Sequence, residues 1–284
     1  MILVICANPA LDRLLVLPKL RLNEVNRTSV VEVTPGGKGI NVARAIATVG
    51  EQEELFLFTG GSTGVTIGEE LEKEKISFLT WPVMGETRIT TIIHETTGHR
   101  HTVINESGPL VSLESALDCI RYITDRINPG DYLVCSGSLP RGMRRDSYAL
   151  LVEGVKRKGA FPVVDSSGEP FRRAFQASPF MIKPNAREAE EALGFAIRSR
   201  NDKIKAVRCF MQRDIPLVVL SDGPRGLVVG QGGDILTVTV DGDFHSGGFA
   251  IGSGDTLVGV TVAMLAQHQS LESALRFGTA CGLA

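Results

Sequence analysis

Six short apolar runs recur along the chain, at Ile2 to Cys6, Leu55 to Phe58, Tyr132 to Cys135, Pro162 to Val164, Phe180 to Ile182 and Leu217 to Leu220. They are rich in β-branched residues and look like buried strands. Between them the apolar spacing changes to the helical period over Asn41 to Val49, Leu113 to Ile127, Ser147 to Lys158, Ala186 to Leu193 and Lys203 to Arg213, the first helix being stopped by Gly50. Strand and helix in alternation imply an α/β chain with a largely parallel sheet covered by helices. The 284 residues are ample for one such core, and with no internal repeat or low-complexity linker residues 1–284 read as a single domain.

Composition removes several functional classes. Thirty Lys and Arg against 32 Asp and Glu give a formal charge of -2, too weak a field to recruit nucleic acid or an anionic membrane. Cys6, Cys119, Cys135, Cys209 and Cys281 are odd in number and contain no Cys-x-x-Cys pair, which fits neither a zinc knuckle nor a secreted disulfide framework. The N-terminal run lacks the basic flank of a signal peptide, and the apolar stretch from Leu257 to Ala266 is too short to cross a bilayer. A soluble, cytoplasmic protein is expected, with neither nucleic acid nor membrane as partner.

Two segments break the rhythm, Arg13 to Val33 and Arg88 to Asn105, the second turning back at Thr96-Thr97-Gly98. They predict a small separate β-sheet, either a lid over a cleft or a plain edge extension. Ligands of α/β sheets gather at strand ends, and four strand ends here are polar: Asn8 to Asp12, Ser136 to Pro140, Lys183 to Glu188 and Ser221 to Gly226. Turn chemistry accounts for any one of these loops. Four together point to a ligand.

Two glycine-rich stretches are sharper. Gly36-Gly37-Lys38-Gly39-Ile40-Asn41 runs into a helix, bringing backbone N–H groups and a lysine to a point suited to an anion or a polyol. Gly252-Ser253-Gly254-Asp255 precedes an apolar helix, again where a phosphate could approach backbone amides. A carboxylate at Asp255 suits the helix dipole, and a proton acceptor beside an anion cradle is also what phosphoryl transfer to a hydroxyl requires. Neither stretch is a P-loop, because Gly39 follows Lys38, and Leu257 breaks the dinucleotide pattern. His99 and His101 are the one local histidine pair, in a hairpin that reads as solvated, and no Gly-x-Ser-x-Gly elbow anchors a hydrolase triad.

In order and spacing, Asn8-Pro9-Ala10-Leu11-Asp12, Asn26-Arg27, Gly36 to Arg44, Gly85 to Arg88, Ser136 to Pro140 and Lys183-Pro184-Asn185, together with the Gly-x-Gly-Asp core, resemble the PfkB-type sugar kinases of the ribokinase superfamily. The resemblance covers essentially the whole chain and is strongest to the 1-phosphofructokinase and tagatose-6-phosphate kinase branch. It implies a ribokinase-like three-layer α/β/α fold with a small β-sheet lid at about 13–33 and 88–105. It also implies transfer from ATP, with magnesium, to a ketose phosphate: fructose 1-phosphate to fructose 1,6-bisphosphate, or else tagatose 6-phosphate or fructose 6-phosphate. A non-catalytic sugar-phosphate-binding relative is the other reading.

By the same resemblance Asp255 is the general base, and Gly252, Ser253 and Gly254 form the anion hole. Asp12, Gly37 and Asn41 meet the sugar hydroxyls, while Arg27, Lys38, Arg88 and Ser138 meet the phosphate already on the substrate. Lys183, Asn185, Ser221, Gly223 and Gly226 serve the nucleotide, and Glu188 helps hold magnesium through water. A homodimer through the lid strands is implied as well. Three departures stand out: Phe249-Ala250 stands where such kinases usually have a polar residue and then Ser, Thr or Val, Val260 replaces a small residue, and the chain ends at Ala284 within what reads as a helix, so a truncated C-terminus is expected.

Overall fold

The computed structural model describes residues 1–240 and 252–283. Phe249 and Ala250, flagged above, and Ala284 lie outside the described residues. The larger sheet has nine strands. In chain order they are β1 (Ile2–Cys6), β4 (Glu53–Thr59), β5 (Phe78–Pro82), β8 (Tyr132–Ser136), β9 (Phe161–Asp165), β10 (Met181–Ile182), β11 (Leu217–Ser221), β12 (Leu227–Gln231) and β13 (Asp234–Val238). Their spatial order is β13-β12-β11-β10-β9-β8-β1-β4-β5, parallel from β5 to β11 and antiparallel only for β12 and β13.

Side-chain alternation sends each strand into two cores. Ile2, Val4, Leu55, Leu57, Val134, Val163, Leu217 and Val219 face one side, packed beneath α1 (Lys38–Thr48), α2 (Gly61–Lys73), α8 (Ser253–Ala266) and α9 (Leu271–Leu283). Leu3, Ile5, Phe56, Phe58, Leu133, Cys135, Val164 and Val218 face the other, beneath α3 (Leu113–Arg126), α4 (Ser147–Arg157), α5 (Gly168–Gln176), α6 (Ala186–Leu193) and α7 (Arg200–Met211). Strands buried on both faces carry apolar residues at every position, which is why they read as continuous runs. The result is three layers, helices on both sides of one sheet, as expected.

The separate small sheet is also present. It holds β2 (Ala10–Leu17), β3 (Val30–Gly36), β6 (Arg88–Glu95) and β7 (Arg100–Asn105), in the order β3-β2-β6-β7. One boundary differs from the expectation. The sheet begins at Ala10 rather than Arg13, because β2 pairs with β6 from Ala10 opposite Arg88 to Leu17 opposite Glu95, and Asp12 is therefore a strand residue. The histidine geometry differs too: His99 occupies the turn with φ of 47°, while His101 faces His94 across the hairpin, their Nδ1 atoms 3.1 Å apart. Among the described residues no helix is long and apolar enough to cross a membrane, and all five cysteines are free thiols.

Strand β1 is the point where chain order reverses, with β4 on one side and β8 on the other. Such a switch point opens a crevice at the carboxyl ends of the strands, and α1 closes in over it. A Cβ on Gly39 would lie 2.5 Å from Cys6 Cβ and 2.9 Å from Cys6 Cα, so the helix approaches β1 as closely as glycine allows. Gly39→Ala is expected to destabilise the protein by about 1–3 kcal/mol through overpacking, measured as a lower denaturant midpoint at unchanged slope. An unchanged midpoint would show that the α1–β1 contact is slack.

Candidate active site

A cavity of about 210 Å³ occupies that crevice. Cys6 and Asn8 come from the end of β1, Ser136, Gly137 and Ser138 from the end of β8, and Ser166 and Ser167 from the end of β9. Lys38 reaches it from α1, and Arg88 and Asn105 from the small sheet. A second hollow of about 280 Å³ lies beside α4, lined by Glu153, Lys156, Arg157 and Ala177. There Lys156 Nζ is spent on the carbonyls of Ala177 and Ser178, so that hollow offers little convergent chemistry.

In the crevice, polar groups converge. Arg88 donates to the Asn8 carbonyl from Nε at 3.2 Å and from Nη2 at 3.0 Å, and to Asn105 Oδ1 at 3.1 Å, which holds the guanidinium at the cavity wall. Asn8 Nδ2 donates to Ser138 Oγ at 3.2 Å. Asn8 Oδ1 and Ser136 Oγ are buried without a hydrogen-bond partner among the described residues. Buried polar atoms in native proteins are almost always bonded, so two orphans at one cavity suit a polar ligand or ordered water.

The charged centre lies beside this cavity. Asp165, fully buried at the end of β9, receives Lys38 Nζ at 3.3 Å on Oδ1 and Lys183 Nζ at 3.3 Å on the same oxygen. Lys38 also lies 3.9 Å from Glu188 Oε1. Burial pulls its pKa down, but the carboxylates of Asp165, Asp255 and Glu188 more than offset this and hold it well above the usual lysine value. Asp255, in the first turn of α8, is 5 % exposed and accepts Asn41 Nδ2 at 2.9 Å. Burial, then the Asp165 charge, push its pKa up to about 6, against the opposing pull of Lys38, Asn41 and Lys183.

The two glycine stretches differ in what they offer. Gly252 caps α8 at φ of 93° with no side-chain bond, so the amides of Gly254 and Asp255 have no side-chain cap. A Cβ on Gly254 would lie 3.2 Å from Lys183 Nζ, which places that ammonium against the same turn. At α1, by contrast, the backbone N–H groups of Gly39 and Ile40 donate to the Cys6 thiol, whose pKa burial raises to about 11. Two of the amides of this turn thus face the thiol, and Lys38 is the cation that α1 delivers.

The remaining candidates fall into place around these. Asp12 lies behind Gly36, where any side chain would strike its carboxylate, and burial raises its pKa against the pull of Thr90, Arg88 and Arg44. Gly37 abuts the Cys6 sulfur. Asn185 and Glu188 form a reciprocal capping box at the start of α6, with Asn185 N to Glu188 Oε2 and Glu188 N to Asn185 Oδ1 both at 2.9 Å, so their spacing has a structural cause as well. Ser221 bridges Asn185 at the end of β11. Gly223 opens a short 3-10 turn after it, and Gly226 passes so close to the Val238 carbonyl that a side chain is excluded. Asp222 pins this turn through Lys203 and through Arg225 at 2.8 Å. Arg27 is the exception: it is exposed between β2 and β3 and does not line the cavity.

Asp165 is the residue that sequence reasoning missed. The signal was present, since Asp165-Ser166-Ser167 ends an apolar strand just as the four inspected loops do. Asn105 and Ser166 were missed with it, the first because it closes a hairpin strand.

Comparison with known proteins agrees with this geometry. The sequence matches the pfkB family of carbohydrate kinases over residues 8–284. The chain belongs to that family. It is 31% identical over 287 residues to a tagatose-6-phosphate kinase of Staphylococcus epidermidis, covering 100% of this chain and 91% of the relative. Among solved structures it is similar to a tetrameric inhibited form of phosphofructokinase-2 from Escherichia coli, with 28% identity, a TM-score of 0.93 and coverage of 100% and 93%. A possible 1-phosphofructokinase from Thermotoga maritima matches with 26% identity, a TM-score of 0.88 and coverage of 99% and 90%. The three layers and small sheet are thus the ribokinase-like fold, and this pfkB protein is a sugar-phosphate kinase, a phosphotransferase with an alcohol acceptor.

The Asn41 bond stabilises the ionised form of Asp255, so Asn41→Ala should move the Asp255 midpoint above about 6. Carboxyl-detected NMR titration with Asp255→Asn as the assignment control reads this directly. A midpoint that falls instead would mean that Asn41 does not bond the carboxylate.

Proposed function

We propose that this kinase transfers the terminal phosphoryl group of ATP to fructose 1-phosphate, giving fructose 1,6-bisphosphate, with Asp255 as general base. The observation that carries the reading is a buried carboxylate of raised pKa in the first turn of α8, beside a cavity holding two cations. At pH 7.5 a group titrating at about 6 is largely ionised yet more basic than an ordinary aspartate at about 3.9. It takes the hydroxyl proton as the new O–P bond forms and the bond to the ADP oxygen breaks. Proton transfer comes late, because the phosphoryl group is loosely held. The amides of Gly252, Ser253 and Gly254, with Lys183 against the same turn, face the charge that develops there.

On the acceptor side, Lys38, Arg88 and Ser138 line one cavity, and two cations with a hydroxyl favour a phosphosugar over a neutral sugar. Asp12 and Asn41 supply directed hydrogen bonds to sugar hydroxyls. On the donor side, Asn185, Ser221, Gly223 and Gly226 form one continuous rim. Glu188 spends Oε2 on the Asn185 amide and turns Oε1 toward Lys38, which fits holding magnesium through water. Bound magnesium would neutralise charge on the nucleotide phosphates.

The names of the relatives favour tagatose 6-phosphate or fructose 6-phosphate as the second reading of the acceptor. ADP release across fructose 1-phosphate, fructose 6-phosphate, tagatose 6-phosphate, fructose and ribose separates them, with fructose 1-phosphate expected to show the highest kcat/KM. Asp255→Asn should lower kcat about a thousandfold, and near-normal turnover would remove Asp255 as the base. Arg88→Ala should raise KM for the phosphosugar about tenfold with little change in kcat; an unchanged KM would leave Arg88 a purely structural group.

The small sheet is the proposed dimer contact. Its edge strands β3 and β7 expose Val30, Val31, Val33, Val103 and Ile104, more apolar surface than an edge tolerates alone. Sedimentation of Ile104→Glu protein should show a monomer where the parent chain is a dimer, and a dimer that survives would move the contact elsewhere.

A further inference from the structure

Two ammonium groups share one carboxylate oxygen in this site, and neither is paired with the base. Lys38 and Lys183 both direct Nζ to Asp165 Oδ1 at 3.3 Å, whereas Asp255 takes an uncharged amide from Asn41. Among the described residues neither ammonium forms an ion pair with Asp255, although both act on it through space. Asp165 is sealed from solvent and Lys183 is 4 % exposed, so salt screens that pair little, whereas Lys38 keeps about a third of its side chain in solvent. Lys183 is fixed from both ends. Its backbone N–H donates to the Val164 carbonyl at 3.1 Å, next to Asp165, and its Nζ lies against Gly254. Lys38 projects into the cavity from the opposite side.

We propose that Asp165 is a positioning residue that holds Lys38 and Lys183 apart from Asp255, one toward the acceptor cavity and the other under the Gly254 turn, leaving the base free to accept a proton. This rests on the reading of Asp255 as the base. A lysine that closed on Asp255 would occupy the lone pair needed for the hydroxyl proton and lower its basicity. Asp165 therefore gives two cations a competing anion, and its own charge adds to the basicity of Asp255. Among the described residues the titratable groups facing the base are Lys38 on α1, Asp165 on β9, Lys183 after β10 and the Cys6 thiol on β1, with Glu188 on α6 behind Lys38 and Asn41 bonded to the carboxylate.

The test combines kinetics with an unfolding cycle that needs no turnover. Asp165→Asn should lower kcat about a hundredfold and move the acid limb of the kcat profile to lower pH by about one unit. Asp165→Glu, which keeps the charge, should recover part of kcat with the limb near its original place. In thermal unfolding at pH 7.5, Asp255→Asn should leave Tm unchanged or raise it in the parent chain. In the Asp165→Asn background, where Asp255 becomes the counterion of both lysines, the same change should lower Tm by about 5 °C or more.

Equal Tm changes in the two backgrounds overturn the proposal, whether or not the chain turns over a phosphosugar. So does an Asp165→Asn enzyme within threefold of the parent kcat. Where Asp165→Asn does not fold, Asp165→Glu decides alone: a reduced kcat with an unmoved acid limb supports the positioning role, and parental kcat refutes it. A parent chain silent toward every ketose phosphate refutes the acceptor reading, and the unfolding cycle still decides the arrangement of charge.

Discussion

Helix α1 is wedged between β1 and α8 at distances that only glycine permits, and the site is built on that wedge. Gly39 brings the helix down onto Cys6, and Gly259 of α8 brings a second helix onto it, since a Cβ there would lie 2.6 Å from the Val42 carbonyl and 2.8 Å from Ala45 Cβ. Backbone-to-backbone packing of this kind leaves little room for relative movement. Lys38 and Asn41, one turn apart on α1, are thereby set against Asp165 on one side and Asp255 on the other. The placement of these charged groups follows from the absence of side chains at Gly39 and Gly259.

The helix that carries Asp255 is stabilised by burial. From Leu257 to Ala263 every residue of α8 is buried, including Val260, which fits where smaller residues are usual in such kinases. That apolar body anchors the first turn, which carries Asp255 and the amides proposed to act on phosphate. Burial of this kind costs the carboxylate its hydration, and the cost appears as a raised pKa. Lys38, Asn41 and Lys183 keep the cost bearable without cancelling it, while the Asp165 charge adds to it. Packing and proton affinity are two consequences of one placement.

How much of this was legible in the sequence depended on the element. The central parallel strands were clear because burial on both faces leaves their polar residues only at the ends. β5 was not, since Phe78 to Pro82 is a half-exposed edge with a threonine and a proline. α2 was hidden by Gly61, Gly64 and Gly68, which blur the helical period, and α5 by Gly168 and Pro170 in its first turn. The glycine motifs located both helix starts, but not that Cys6 would claim the amides of Gly39 and Ile40. Asp165 escaped because its importance lies in which two lysines meet it, 127 residues upstream in one case, and such a meeting is a property of the sheet order.

One row of the small sheet carries its links to α1 and β1. Gly36, Ala10 and Arg88 lie side by side across three strands, the first running straight into α1 and the second only three residues from the end of β1. That row is a jamb, and the jamb itself lines the cavity, with Lys38 just beyond Gly36, Asn8 just before Ala10, and Arg88 in the row. A change in the angle between the small sheet and the three layers would therefore reshape the cavity.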